Sequence, residues 1–187
     1  MTKMPFLTTF AAALFLTFGI GGAAYSYETT LDDLLRGDSH LLTEPDLATL
    51  NLRYFGVGHD FDAGKVSAVA VDGTDWISLS NSPNESEPIV TVFDFPVEAG
   101  RKYRVSAMVA ANLEPDGYCD LDAYDFKGWD DTFDTLDDSA QTFQSTPYPH
   151  FRYFLFTAPA GRDSVQIRML GHGGDCFFTY PKVDLIK

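Results

Sequence analysis

Pro88–Asn112 reads PIVTVFDFPVEAGRKYRVSAMVAAN. Val90, Val92 and Asp94 alternate with Thr91, Phe93 and Phe95. After the polar corner Glu98-Ala99-Gly100-Arg101-Lys102, Tyr103, Val105, Ala107 and Val109 alternate with Arg104, Ser106, Met108 and Ala110. A period of two, carried by β-branched and aromatic residues, marks half-buried strands. Gly100 supplies a turn without steric cost. The stretch therefore predicts two strands joined by a short turn. The same design returns at Phe151–Thr157, Ala158-Pro159-Ala160-Gly161 and Val165–Met169. From Asn51 to the end no segment has a helical period. The fold class this predicts is all-β, a two-sheet β-sandwich.

Moving outward, Asn51–Phe55, Val66–Val71 and Trp76–Leu79 read as further strands, punctuated by Gly56, Gly58, Gly64 and Asp72-Gly73. Trp76 is expected in the core. Tyr118–Phe126 places Cys119, Leu121 and Ala123 on one face, with Tyr118, Asp120, Asp122, Tyr124 and Phe126 on the other. Cys176–Tyr180 and Val183–Ile186 close the chain. Residues 127–148 form an acidic, aromatic connection, and a loop of that length in a compact domain is functional or mobile. Asn84-Glu85-Ser86 is a glycosylation sequon, relevant only in a eukaryotic secretory route.

The beginning of the chain differs. Lys3 precedes an uncharged run from Met4 to Ala24 that ends in small residues, the pattern of a secretory signal. Residues 1–24 are read as signal peptide, residues 25–50 as a helical lead-in and residues 51–187 as the sandwich domain. In the lead-in, Thr30 can cap a short helix answered by Asp33 and ended by Gly37, and Thr43 with Pro45 starts a second. Localisation is expected to be secreted or periplasmic, with no stable membrane insertion after cleavage.

The formal net charge is −14, with 27 acids against 13 bases. Such a chain avoids nucleic acid and anionic membranes. Export permits a disulfide, and the two cysteines, Cys119 and Cys176, allow a single intramolecular pairing.

The order of these pieces resembles carbohydrate-binding modules with the galactose-binding-like jelly-roll fold. Asp60-Phe61-Asp62-Ala63-Gly64 is similar to that family's N-G-x-F-E-x-G corner. Val97–Ser106 resembles its v-x-x-G-x-x-Y-x-v-S hairpin, Phe154–Pro159 its f-T-a-P strand end, and Phe178–Ile186 its closing f-D-D-V-x-L strand. The resemblance covers residues 51–187. It implies a jelly roll and a carbohydrate ligand. It also implies a structural calcium held in part by an acid of the closing motif, where this chain has Pro181 and Lys182 and places Asp184 further on.

Several groups of residues are candidates for binding. Sugar hydroxyls need carboxylate, amide and guanidinium partners, and sugar C–H surfaces need an aromatic ring. Asp120, Asp122, Tyr124, Gln166 and Arg168 share the predicted outward face, and Trp129 and Tyr148 stand on predicted loops. The competing reading of that face is a solvated one with Arg–Asp pairs. Asp60 and Asp62 form a candidate calcium pair, and Asp130, Asp131, Asp134, Asp137 and Asp138 a second acidic group. His40, His59, His150 and His172 are scattered, with His172 expected on a flexible glycine loop, and no serine occupies a nucleophile elbow. These readings predict a non-catalytic glycan-binding module that requires no cofactor, with calcium as a candidate ligand. The alternatives are a structural or adhesion sandwich binding protein at the cell surface and a polysaccharide hydrolase or lyase.

Overall fold

The computed structural model describes residues 29–54, 65–82, 88–125, 134–135 and 140–187. The signal segment, the sequon at Asn84, Asp60, Asp62, His59, Trp129, Asp130, Asp131, Asp137 and Asp138 lie outside the described residues. The elements are α1 (Leu31–Arg36), β1 (Asp38–Leu41), α2 (Glu44–Thr49), β2 (Leu52–Tyr54), β3 (Val66–Val71), β4 (Thr74–Asn81), β5 (Ile89–Pro96), β6 (Lys102–Asp125), β7 (Asp134–Thr135), β8 (His150–Thr157), β9 (Ser164–Thr179) and β10 (Lys182–Leu185).

The protein is an all-β jelly-roll sandwich with a short helical lead-in. One layer runs β1, β3, β4, the C-terminal part of β9 continued by β10, the N-terminal part of β6, and β8. The other runs β2, β5, the N-terminal part of β9, the C-terminal part of β6, and β7. All these pairings are antiparallel. The strand expected at Tyr103–Ala110 and the one expected at Tyr118–Phe126 are thus a single element of 24 residues. Likewise Val165–Met169 and Cys176–Tyr180 belong to one bent strand of 16 residues.

Both long strands change layer at a shared corner. The β6–β9 register shifts between Leu113 and Tyr118. Asp116, Gly173 and Gly174 have φ of 67°, 61° and 129° there, and strands that switch sheets do so through such bulges. A Cβ on Gly174 would lie 2.3 Å from the Asn112 carbonyl oxygen, so only glycine permits the approach. Along β9 the buried residues change from Val165, Ile167 and Met169 to Cys176 and Phe178, which is one residue out of alternation. Asp175 fixes the corner by accepting hydrogen bonds from Ser80 Oγ at 2.7 Å and Asn112 Nδ2 at 3.3 Å. His172, expected on a loop, is a strand residue inside this corner, with its ring 5.2 Å from that of Tyr118.

Pro88–Asn112 forms the two expected strands and the corner between them, but the strands do not pair with each other. β5 pairs with β2 and β9, whereas β6 pairs with β7, β8, β9 and β10. The corner at residues 97–101 therefore arches from one layer to the other. It is held from the far side: Gly100 N–H donates to the Ala158 carbonyl at 2.8 Å and Val97 N–H to that of Asp163 at 2.8 Å. Alternation identifies strands but does not name their partners.

Between the layers lies one core that includes Val105, Val109, Leu121, Ile167, Met169, Phe154, Phe156 and Phe178. Burial of each large apolar side chain is worth about 1.5–3 kcal/mol. Cys119 and Cys176 form a disulfide with Cα atoms 5.7 Å apart. Cys119 is paired opposite Gly171 in one layer and Cys176 opposite Ala111 in the other, so the bridge joins the two layers beside the corner.

The lead-in folds as its caps dictate. Thr30 and Asp33 form a capping box at α1, and Thr43 and Asp46 form one at α2. Each box satisfies two otherwise orphaned N–H donors. α1 lays Leu31 and Leu34 on the outer face of the first layer, against a cluster of Val69, Val71, Trp76, Met108, Ala110 and Phe177. Trp76 is buried, as expected, but under α1 and not between the sheets. α2 adds Leu47 to the main core. β1, pairing with β3, had no signal in the sequence because all four of its residues are exposed.

Candidate functional site

On the second layer, Leu121, Ala123, Val165, Ile167 and Met169 face the core. Period-two geometry then sends Asp120, Asp122, Tyr124, Gln166 and Arg168 to the outer face. Register brings them together: Asp122 is opposite Arg168, Tyr124 is opposite Gln166, and Thr91 of β5 is opposite Arg168 on its other side. Arg53 on β2, opposite Thr91, extends this polar row to the sheet edge.

The centre of the row is an ion pair. Arg168 Nε donates to Asp122 Oδ1 at 2.7 Å and Arg168 Nη2 donates to Asp122 Oδ2. This two-pronged match of planar groups is the strongest form of the contact. The Arg168 guanidinium also lies over the Tyr124 ring, 3.9 Å from its centroid, a cation–π contact. Burial pushes the Asp122 carboxyl above its ordinary value of 3.8, while the Arg168 hydrogen bond and charge pull it down.

The face is covered. Asp120 is 8% exposed, Asp122 3%, Tyr124 8% and Gln166 5%. Polar groups this deep are normally hydrogen-bonded. Asp120 Oδ2 is, accepting from Gln141 Nε2 at 3.2 Å. Yet Asp120 Oδ1, Gln166 Nε2 and Thr91 Oγ1 have no hydrogen-bond partner among the described residues. Three spare groups thus surround a satisfied ion pair on one face. Sequence reasoning missed Thr91, although its outward parity, opposite to that of Val90 and Val92, was available.

Tyr148 is elsewhere. It precedes β8 at the rim of the first layer and is 54% exposed. Near it, a pocket of about 430 Å³ opens between residues 141–146 and the start of β8. Nothing in the sequence reading placed Gln141 and Arg152 together there. The signal was present, because Arg152 and His150 share the strand parity of the core residues Phe154 and Phe156.

At the closing strand the side chains do not fit calcium. Asp184 Oδ2 accepts from Arg104 Nη2 at 2.8 Å, and Asp184 Oδ1 lies 3.0 Å from Lys182 Nζ. Two cations already occupy the only carboxylate of that segment, where calcium needs several oxygens. Among the described residues no group of three or more His, Cys, Asp or Glu is placed to hold a metal ion.

No protein-family model and no curated protein matches the sequence. Solved structures match its backbone. A carbohydrate-binding module, CBM4, superposes with a TM-score of 0.51 at 14% identity, over 72% of this chain and 86% of that one. The CBM22-2 xylan-binding domain from Paenibacillus barcinonensis Xyn10C gives 0.50 at 10% identity, over 71% and 91%. The chain has the carbohydrate-binding-module fold. At these identities the likeness concerns the backbone architecture and assigns no ligand to any residue. The fold agrees with the one that the resemblance implies.

Proposed function

We propose that this chain is an exported, non-catalytic glycan-binding module that takes its ligand on the polar outer face of the second layer. The observation that carries this reading is the set of three buried, unpaired groups, Asp120 Oδ1, Gln166 Nε2 and Thr91 Oγ1, around the Asp122–Arg168 pair. Each buried group without a partner costs about 1–3 kcal/mol. Sugar hydroxyls both donate and accept, so a glycan can supply an acceptor for the amide and a donor for the carboxylate at once. Tyr124 is read as the aromatic complement on this face, with Trp129, which lies outside the described residues, as a second ring; Tyr148, at the rim of the first layer, stands apart from it.

A binding role suits the chemistry better than a hydrolytic one. Both oxygens of Asp122 are engaged by Arg168, so of the two carboxylates in this row only Asp120 keeps an unpaired oxygen, one short of the pair that a two-carboxylate mechanism uses. Binding is read as needing no cofactor, with calcium as an optional ligand.

A second reading, a structural or adhesion sandwich, is favoured by one observation: Thr91, Asp120, Asp122, Tyr124 and Gln166 are under 9% exposed, and Asp122 already has its partner in Arg168. A glycan array probed with the protein, in calcium and in EDTA, separates the two. Glycan binding that weakens about tenfold in Gln166→Ala, the loss of roughly one hydrogen bond, supports the first reading. Binding to no glycan in either buffer supports the second.

A further inference from the structure

β8 changes chemistry half-way along one face. Phe154 and Phe156 are 3% and 1% exposed in the core. Two and four residues earlier, the same face carries Arg152 and His150, opposite Ala107 and Val109 of β6. Apolar side chains there would have extended the core to the sandwich rim. Across from them runs the edge of the other layer, where Thr142 bridges to Cys119. The pocket of about 430 Å³ lies between these edges, in the size range of small-ligand sites.

Its lining is unlike the rest of the protein. The chain carries 27 acids and 13 bases, yet among the described residues the pocket is lined by Arg152, His150, two glutamines, two threonines and Phe143, with no carboxylate. Arg152 Nε donates to Thr142 Oγ1 at 3.1 Å. That bond orients the guanidinium and leaves both Nη groups without a hydrogen bond or ion pair among the described residues. A planar fork with two free donors fits a carboxylate in two-pronged fashion. Gln141 is tied through Nε2 to Asp120, which leaves its oxygen as an acceptor for a hydroxyl. Gln144 is exposed and offers a further amide, and Phe143, 63% exposed, presents a ring face. A carboxylate, several hydroxyls and a C–H surface belong together in a hexuronic acid.

We propose that this rim pocket binds a uronate unit of an acidic glycan, with Arg152 reading the carboxylate and Phe143 stacking on the ring. The sugar part of this assignment rests on the glycan-binding reading; the carboxylate part rests on the pocket alone. Recognition is by contact, because the field of the whole chain repels anions and is screened beyond about 8 Å at physiological salt.

The test is calorimetric titration of the full chain at 0.15 M salt with trigalacturonate and trimannuronate, each beside its uncharged methyl ester, and with acetate. One of the acids is expected to bind at least tenfold more tightly than its ester, and acetate not to saturate. Arg152→Gln is expected to abolish that preference. Gln144→Glu, at an exposed position of the lining, should weaken the acid at least fivefold more than it weakens the ester, and unchanged thermal melts of both variants guard against a folding defect. Equal binding of acid and ester, or a preference that survives Arg152→Gln, overturns the uronate site and leaves the glycan reading standing. Saturable acetate binding as tight as the acid's overturns it in favour of a bare anion site. If neither acid nor ester binds, the uronate site is refuted, and the neutral-glycan array alone then decides the broader reading.

Discussion

The outer face of the first layer and that of the second are both covered, but by opposite chemistry. On the first, α1 sets Leu31 and Leu34 over Val69, Val71, Trp76, Met108, Ala110 and Phe177. On the second, the corresponding positions are Thr91, Asp120, Asp122, Tyr124, Gln166 and Arg168. The first face is closed largely by the chain's own hydrophobic surface and leaves two orphans among the described residues, Trp76 Nε1 and, toward the end of the face, Arg104 Nε. The second leaves three orphans around an ion pair. A face that a protein seals for itself is made apolar, since non-directional burial is enough. A face left with directional groups unspent is suited to a ligand that supplies the missing partners.

The comparison can be broken by experiment, beginning where the two layers are joined. Cys119→Ser with Cys176→Ser opens a loop with a sequence separation of 57. The expected loss is about 4 kcal/mol in urea unfolding, and it should weaken both faces together. Asp122→Ala strands a buried guanidinium and should cost about 3 kcal/mol. Replacing the pair by Asp122→Leu with Arg168→Met should recover much of that stability while abolishing glycan binding. If the double variant still binds, the polar face is not the site. Leu34→Ala, on the apolar face, should cost about 2.5 kcal/mol through a cavity under α1 and leave the affinity of the folded protein unchanged. The smallest effect is expected at Asp184, also on the first layer. The Arg104 hydrogen bond, then that from Lys182, holds its carboxyl below the ordinary value of 3.8. A lowered carboxylate pKa contributes stability above the unfolded value and loses it as pH falls through the folded one. Asp184→Asn should therefore cost about 0.5 kcal/mol at pH 7, after allowance for solvent screening, and less at about pH 3, below the ordinary carboxylate value. Thermal melts at the two pH values read this directly.

Much of the architecture was legible because its signals are local. Alternation marked β3, β4, β5 and β8, the Thr–Asp capping boxes marked α1 and α2, and strand parity gathered Asp120, Asp122, Tyr124, Gln166 and Arg168 on one face. What escaped was non-local. Gly100 announced a turn but not that β5 and β6 would join different layers. The Gly171–Gly174 stretch read as a loop, although antiparallel partners on β4 and β6 keep it within a strand. The coverage of the polar face depends on tertiary neighbours that no period encodes. Arg152 was overlooked because a cation between aromatics on an edge strand looks like ordinary solvated charge until the opposite edge is known.

Because β6 and β9 each run through both layers, neither layer can come apart while the other persists. Unfolding should then be a single all-or-none transition, with amide exchange in Val105 and Leu121 reporting the same free energy. Tension applied to either long strand would be felt by the whole sandwich, so a module tethering a heavy polymer through one face would share that load across its entire hydrogen-bonded framework.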